Sequence, residues 1–370
     1  MLTWINIDLG AIGNNLRRIH EHIDEETRVI AVVKANAYGH GLTEVGNKLW
    51  QEGVDMLAVS TVDEAIALRI AKIKVPILVI GYTQPSEYQR VIEHSLRITV
   101  FSKEEIETLA QVAESAHQPV RVHLKIDTGM HRLGINPAET TDYVNLINQK
   151  PYLILEAVFS HFAEADNVIY SRNQIKEIES ALFQLQQIDA NAMPMVHLAA
   201  SKSIVKYPEA HFDAVRPGIA LYGLEDTIPG LLPALRWSTK IVQVRRVNEG
   251  ASVGYGLTYK TKRISSLAVI PVGYADGYPR SLSNKAQVLI NGKRVGVVGR
   301  ICMNQAIIDV TGLNAKVGEQ VVLIGKSVGD IIRAQDLARW AGTNPHEIVA
   351  RISPYIFRNF HELKEDEFSA

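Results

Sequence analysis

Cysteine is almost missing from this chain: Cys302 is the only one among 370 residues. An intramolecular disulfide is thereby excluded, as is a cysteine-built metal cage, and the composition fits a reducing compartment. An excess of one charge is missing too. The 39 Lys and Arg stand against 40 Asp and Glu, a formal net charge of -1, so no global field favours nucleic acid or an anionic membrane as partner. No apolar run approaches the ~18 residues of a membrane-spanning helix. The opening Met1-Leu2-Thr3-Trp4-Ile5-Asn6-Ile7-Asp8 lacks the basic and long apolar regions of a secretory signal. The expectation is a cytoplasmic protein with no membrane segment in this chain. Internal repeats and low-complexity tracts are also lacking, which leaves ordinary globular patterning to specify the fold.

That patterning is strong. Hydrophobic residues make up 46% and charged residues 21% of the chain, enough for a sizeable core, and the length suits two domains. Short apolar runs fall at 29–34, 56–60, 76–81, 97–101, 120–126, 153–160, 195–199 and 213–216. Amphipathic segments separate them. One, 61–69, opens on Thr61 as a good N-cap. In another, 174–188, Ile175, Ile178, Leu182, Leu185 and Ile188 recur at helical spacing. Eight strands alternating with helices predict an α/β fold, a (β/α)8 barrel, over residues 1–230. An open doubly wound sheet is the alternative, weakened by the lack of a dinucleotide-type glycine fingerprint after the first run. Pro229-Gly230 and Pro233 mark a break, and residues 231–370 read as a smaller, mainly β domain. There, 286–290 and 293–298 flank Asn291-Gly292 as a tight hairpin. Further strands are expected at 239–247, 266–272, 301–310 and 319–324, with helices at about 333–341 and after Asn344-Pro345.

Working side chains of a parallel barrel gather at the C-terminal ends of its strands, and phosphates bind beyond strands seven and eight. Lys34 ends the first run and leads into Ala35-Asn36-Ala37-Tyr38-Gly39-His40-Gly41. Such a lysine can form a Schiff base with a carbonyl compound if burial or neighbouring cations lower its pKa; it can equally extend to solvent. Lys125 and Asp127 end the fifth run, ahead of Thr128-Gly129-Met130-His131-Arg132-Leu133-Gly134. His161 ends the sixth, Ser201 follows the seventh, and Arg216 ends the eighth before Pro217-Gly218-Ile219. Taken singly, His161 fits a buried structural histidine and Arg216 an ion-pair partner. Their shared placement favours function. A serine hydroxyl and the free N–H groups of a Pro-Gly-Ile turn suit a phosphate monoester. A lysine for a carbonyl together with a cradle for a phosphate suggests pyridoxal 5′-phosphate (PLP) as cofactor.

The segment Val33-Lys34-Ala35-Asn36-Ala37-Tyr38-Gly39-His40-Gly41 resembles the PLP-attachment motif of bacterial alanine racemases. The likeness extends through 124–134, Gly254-Tyr255-Gly256, 273–278 and 299–305, almost the whole chain in register. It implies a PLP-binding barrel followed by a β domain, in a homodimer whose partner completes each site, and an L-/D-alanine racemase supplying D-amino acid for peptidoglycan. By position, Lys34 is implied to hold PLP and to act as one acid–base group, with Tyr255 of the partner subunit as the other. A base on each face of the substrate is needed because a single base tends to return the proton to the face it left. Tyr38, Ser201, Gly218 and Ile219 correspond to phosphate contacts. Arg216 corresponds to the donor to the pyridine nitrogen, and His161 lies with it in the network linking the tyrosine to the cofactor. Arg132 and the backbone at Met303 correspond to the substrate-carboxylate site. Lys125 matches a lysine that many members carry carbamylated. Asp166, Arg280 and Arg300 match residues of the substrate entrance, where a solvated ion pair is an equally good account. Cys302 falls near the site, where packing is the better account.

Three positions depart from that pattern. Asn304 replaces the usual aspartate, as in the serine racemases of vancomycin resistance, and Ala200 replaces an asparagine before the phosphate serine. Pro354 stands where a gate-forming tyrosine is expected, with Tyr355 next to it as a substitute. Substrate range, serine against alanine, is what these changes touch. A PLP-binding regulatory protein would share the barrel and Lys34 but lack a β domain carrying Tyr255. A PLP decarboxylase of similar architecture would lack the motifs around Tyr255 and Arg216.

Overall fold

The computed structural model describes residues 1–187 and 193–362. The expected barrel is present. Strands β2 (Arg28–Val32), β3 (Met56–Val59), β4 (Ile77–Val79), β5 (Arg97–Val100), β6 (Val120–Lys125), β7 (Leu153–Phe159), β8 (Met195–Ala200) and β9 (Ala214–Arg216) close in chain order, all parallel. Closure comes from β9 pairing back onto β2, Arg28 opposite Ala214 and Val29 opposite Val215. Each strand is short and mostly apolar because both of its faces are covered, one by the lumen and one by helices. Side chains alternate accordingly. Val29, Ala31 and Val33 join the outer core under the helices, while Ile30 and Val32 join Met56, Ala58, Leu78 and Ala214 in the lumen.

The other half of the lumen is polar. On β5, β6, β8 and β9 the outward positions Ile98, Val100, Val122, Leu124, Val196, Leu198 and Val215 belong to the outer core. Alternation then turns Arg97, Thr99, His123, Lys125, His197 and Arg216 inward. Period two along four strands thus fills one barrel with an apolar side and a charged side.

Helices begin where the caps predict. Thr61 Oγ1 accepts from the Glu64 N–H at 3.2 Å at the head of Val62–Ile70, and Asn344 Oδ1 accepts from the Glu347 N–H at 3.0 Å ahead of Pro345–Ala350. The helix expected from residue 174 starts earlier, at Val168, because Asn167 caps it. It runs to Gln186; Ile188 lies outside the described residues.

The second domain contains a seven-stranded sheet in the order Lys293–Gly296, Gln287–Ile290, Gln320–Ser327, Leu235–Lys240, Thr3–Asp8 (β1), Arg358–His361, with Asp330–Ile332 joined to Gln320–Ser327. The chain's first strand is thus built into this sheet between two strands near its end. The Asn291-Gly292 hairpin is present. Two expectations are corrected. The single strand at 239–247 is two, Leu235–Lys240 and Gln243–Val247, in different sheets. The corner between them is fixed by the Ile241 N–H on Glu319 O and the Val242 N–H on Val269 O, both 2.9 Å. The run at 301–310 is a strand only over Ala306–Asp309, because Cys302 N–H closes a turn on Gln305 O at 2.8 Å. No helix among the described residues is long and apolar enough to cross a membrane.

Candidate active site

Strand β2 stops at Val32, and the Val33 N–H still donates to Ala58 O at 2.8 Å. Lys34 then enters a turn of unusual hand. Ala35, Asn36, Ala37 and Tyr38 have φ of 54°, 55°, 51° and 53°. An L-residue in this region costs about 1–2 kcal/mol, so four in succession persist only because the surroundings hold them. The Glu64 carboxylate accepts the Asn36 N–H at 3.2 Å and the Ser60 N–H at 2.9 Å. Asn36 Oδ1 accepts the Leu42 N–H at 2.9 Å, and Arg358 Nε donates to Gly39 O at 2.9 Å. Gly39 is obligatory on space as well as φ (80°), since a Cβ would lie 2.2 Å from Val349 O. The Lys34 amine is half-buried; burial first, then the Arg132 charge, lower its pKa, and Glu64 opposes them.

Beyond β8 and β9, Ser201 Oγ accepts the Gly218 N–H at 2.9 Å and the Ala220 N–H at 3.2 Å. With both lone pairs used, its own proton remains to be donated. Tyr38 reaches the same turn: a Cβ on Gly218 would fall 2.5 Å from the Tyr38 hydroxyl. The Tyr38 ring stacks on Tyr222 at 4.8 Å, whose hydroxyl donates to Val32 O at 3.0 Å. Burial pushes the Tyr38 phenol up to about 12, so it is a neutral donor. Behind Tyr222, His40 is wholly buried at 4.5 Å ring to ring; its Nδ1 meets Tyr38 O at 2.9 Å, and Nε2 has no partner among the described residues. Burial lowers the His40 pKa to about 4.

Arg216 spans the polar half of the lumen. Its guanidinium donates to Ser160 O at 2.6 Å, Leu198 O at 2.9 Å, His197 Nδ1 at 2.7 Å and His161 Nδ1 at 3.2 Å. An arginine can only donate, so His197 Nδ1 must accept and its Nε2 carries the hydrogen. That hydrogen points at His123 Nδ1, 3.0 Å away, and His123 Nε2 in turn faces Glu156 Oε2 at 3.0 Å. Burial drives His161, His197 and His123 toward the neutral form, which this row requires. Glu156 is the extra residue of a β-bulge in β7, between Leu155 opposite Val122 and Ala157 opposite His123. Burial pushes its carboxyl up, but hydrogen bonds from His123 and Arg97 outweigh that and hold it at about 2. Arg97 bridges it at 2.7 and 3.2 Å.

Lys125 is buried with its Nζ 4.4 Å from the centre of the Phe159 ring. Burial, then Arg216 and Arg132, lower its pKa well below the usual lysine value, against Asp127. Asp127 itself organises the loop toward Arg132 by accepting the Gly129 and His131 N–H groups, both at 3.0 Å. Lys34, His161, Ser201, Arg216, Gly218 and Ile219 therefore meet at one barrel mouth, with the charge of exposed Arg132 felt by Lys34, Lys125 and His161.

Tyr255, Met303 and Asn304 lie on the second domain. Tyr255 occupies a 3-10 turn and is 70% exposed, and Met303 is 57% exposed. Arg300 joins them, its guanidinium carbon 3.2 Å from where a Cβ on Gly256 would stand. The Cys302–Met303 turn is held by N–H groups of Tyr274 and Ala275 on its carbonyls, at 3.1 and 2.9 Å. Cys302 is half-buried with its thiol 3.7 Å from Arg300 O, and Arg280 is exposed. Asp166 makes a surface ion pair with Lys202 and Lys206. Tyr355 is 97% exposed.

Comparison with known proteins accounts for both domains. Residues 7–226 match the alanine racemase N-terminal domain and residues 234–360 the alanine racemase C-terminal domain. The chain belongs to the alanine racemase family. It is 42% identical over 361 residues to the alanine racemase of Symbiobacterium thermophilum, covering 95% of each chain. An alanine racemase structure from D-cycloserine-producing Streptomyces lavendulae superposes with a TM-score of 0.93 at 31% identity, covering 99% of this chain and 98% of that one. One from Bartonella henselae, described with covalently bound pyridoxal phosphate, gives 0.88 at 28% identity over 98% and 100% of the two chains. A PLP-binding regulatory protein and a decarboxylase are thereby set aside, and the chain is an isomerase of the racemase class.

Several residues of this racemase's site escape sequence reading. Glu64 acts on the lysine turn from 28 residues away and Arg358 from 319. His123, Glu156 and Arg97 extend the Arg216 row. Their one signal in the sequence is polarity inside apolar runs, Glu156 within 153–160 and His123 within 120–126.

Proposed function

We propose that this racemase interconverts L- and D-alanine, with PLP bound through Lys34, in a cytoplasmic homodimer that supplies D-alanine for peptidoglycan. The observation that carries the reading is the convergence of Lys34, the Ser201–Gly218–Tyr38 cradle and Arg216 at one barrel mouth. These residues fit the cofactor. The Ser201 proton, the neutral Tyr38 hydroxyl and the Ile219 N–H offer donors to a phosphate, and an amine of lowered pKa offers a nucleophile to an aldehyde. The covalently bound cofactor of the Bartonella relative supports this choice. PLP bound there supplies the electron sink that acidifies the substrate Cα–H.

The chain's own residues do the rest. Lys34 takes or returns the proton on one face, aided by burial and the Arg132 charge that favour its neutral form. Tyr255 of the partner subunit serves the other face; its 70% exposure in the single chain leaves it available to a second subunit. Arg132 and the Met303 backbone orient the substrate carboxylate. Arg216 can only donate, so it would hold the cofactor's ring nitrogen unprotonated, which would restrain the electron sink and suppress side reactions.

The test is a pair of variants. Lys34→Ala is expected to abolish the cofactor's lysine-linked absorbance and racemisation together; a variant that keeps both refutes the assignment. Tyr255→Phe is expected to keep the absorbance and lose racemisation, while wild-type turnover removes Tyr255 from the mechanism. Asn304 favours a second reading, serine as a substantial substrate, because an exposed amide beside Met303 can donate where the usual aspartate cannot. Comparing kcat/KM for alanine and serine in wild type and Asn304→Asp decides it: an unchanged ratio dismisses the position.

A further inference from the structure

We propose that Glu64 is a positioning residue for this racemase, which holds Lys34 at the barrel mouth and supplies the negative charge that faces it. The inference rests on Lys34 being the cofactor-binding amine.

Glu64 is not a surface glutamate. It occupies the first turn of Val62–Ile70, where the helix N-terminus favours a carboxylate, and its own N–H is tied to Thr61. Its two oxygens serve different loops: Oε1 accepts the Asn36 N–H from the turn after β2, and Oε2 the Ser60 N–H after β3. One carboxylate therefore crosslinks two adjacent barrel loops at their active ends. Asn36 is the second of the four left-handed residues, so its N–H is set by a conformation the chain does not favour. Without an acceptor there, the turn relaxes toward ordinary geometry and carries Lys34 with it. The other end of the turn is held separately. Arg358 Nε donates to Gly39 O, its Nη1 to the carbonyls of Ser353, Pro354 and Ile356 at 2.9–3.2 Å, and its Nη2 to Ile352 O at 3.4 Å.

The groups around Lys34 give Glu64 its electrostatic weight. Arg132 opposes a proton on Lys34, and Glu64 favours one. His161 and His346, both affected by the Lys34 charge, are driven toward neutrality by burial, and Tyr38 is neutral. Burial first, then the charge of Glu64, also keeps the Tyr222 phenol neutral. Glu64 is thus the negative counterpart to Arg132.

The experiment uses the full-length holoenzyme with Glu64→Gln, Glu64→Asp and Arg358→Met. Three quantities are read: the pH midpoint of the bound cofactor's absorbance change, amide hydrogen exchange across residues 35–39, and kcat. Glu64→Gln removes the negative charge that favours a proton at Lys34, so the midpoint is expected to fall by about 0.5–1 pH unit. Exchange at Asn36 should quicken at least tenfold, with a lower kcat. Arg358→Met should quicken exchange at the Gly39 end and leave the midpoint unchanged. Glu64→Asp, which keeps the charge with a shorter reach, should quicken exchange at the wild-type midpoint, and it carries the test if Glu64→Gln does not fold. An unchanged midpoint in Glu64→Gln, or a shifted one in Glu64→Asp, overturns the charge role; unchanged exchange overturns the positioning role. A wild-type protein that binds no PLP instead overturns the functional reading, and exchange at Asn36 still decides whether Glu64 holds the turn.

Discussion

Glu156 offers a quantitative check on the buried polar row. Its carboxyl is held at about 2 against an ordinary 4.5. At about 1.36 kcal/mol per pH unit, that difference corresponds to about 3 kcal/mol of folding stability. The side chain is 17% exposed, and solvent on that side trims the figure to about 2–3 kcal/mol. Because the folded-state value is depressed, this stability is fully present above pH 4.5 and is lost as pH falls toward 2. Glu156→Gln keeps the shape and an acceptor for His123 but removes the charge that Arg97 and Arg121 neutralise. The variant should be less stable than wild type by about 2–3 kcal/mol at pH 7, and the gap should narrow by about 1–1.5 kcal/mol at pH 3.5. Denaturant unfolding of both proteins at the two pH values measures it. A gap below about 0.5 kcal/mol at pH 7, or one of the same size at both pH values, refutes the assigned charge state.

Burial keeps His40 neutral at about 4 against 6.5, so wild type should lose about 2 kcal/mol between pH 7.5 and 5 that His40→Phe does not lose; parallel stability–pH curves in that interval count against it. The same substitution removes the partnerless Nε2 and keeps an aromatic face for Tyr222. Ser201→Ala removes the hydroxyl that gathers the Gly218 and Ala220 N–H groups. It should weaken PLP binding about 10- to 100-fold by spectroscopic titration, the worth of a hydrogen bond to a charged group, without altering the wavelength of the bound cofactor.

The barrel strands are legible in the sequence because each is an apolar run with both faces buried, bounded by polar helices. The Lys34 and Arg216 positions are legible because strand ends and motif coincide there. What stays hidden depends on contacts far along the chain. β1 acquires its role only when Leu235–Lys240 and Arg358–His361 arrive on either side of it. The break at Ile241-Val242 is invisible because both residues are apolar and β-branched; the corner is set by partners at Val269 and Glu319. The left-handed turn is hidden for a related reason. Ala35, Ala37 and Tyr38 have no local preference for positive φ, and the carboxylate that accepts the Asn36 N–H belongs to another barrel unit. The row from Arg216 to Glu156 needs strand register and a bulge, neither of which periodicity alone supplies.

That row has a fixed direction. A guanidinium heads it and an ionised carboxylate ends it, so each imidazole between them has its single hydrogen already assigned. The two rings are aligned to pass a proton only toward Glu156, and the guanidinium at the head has no lone pair with which to accept one. The row is therefore closed to a proton at its Arg216 end, and its fixed polarity holds that guanidinium in place.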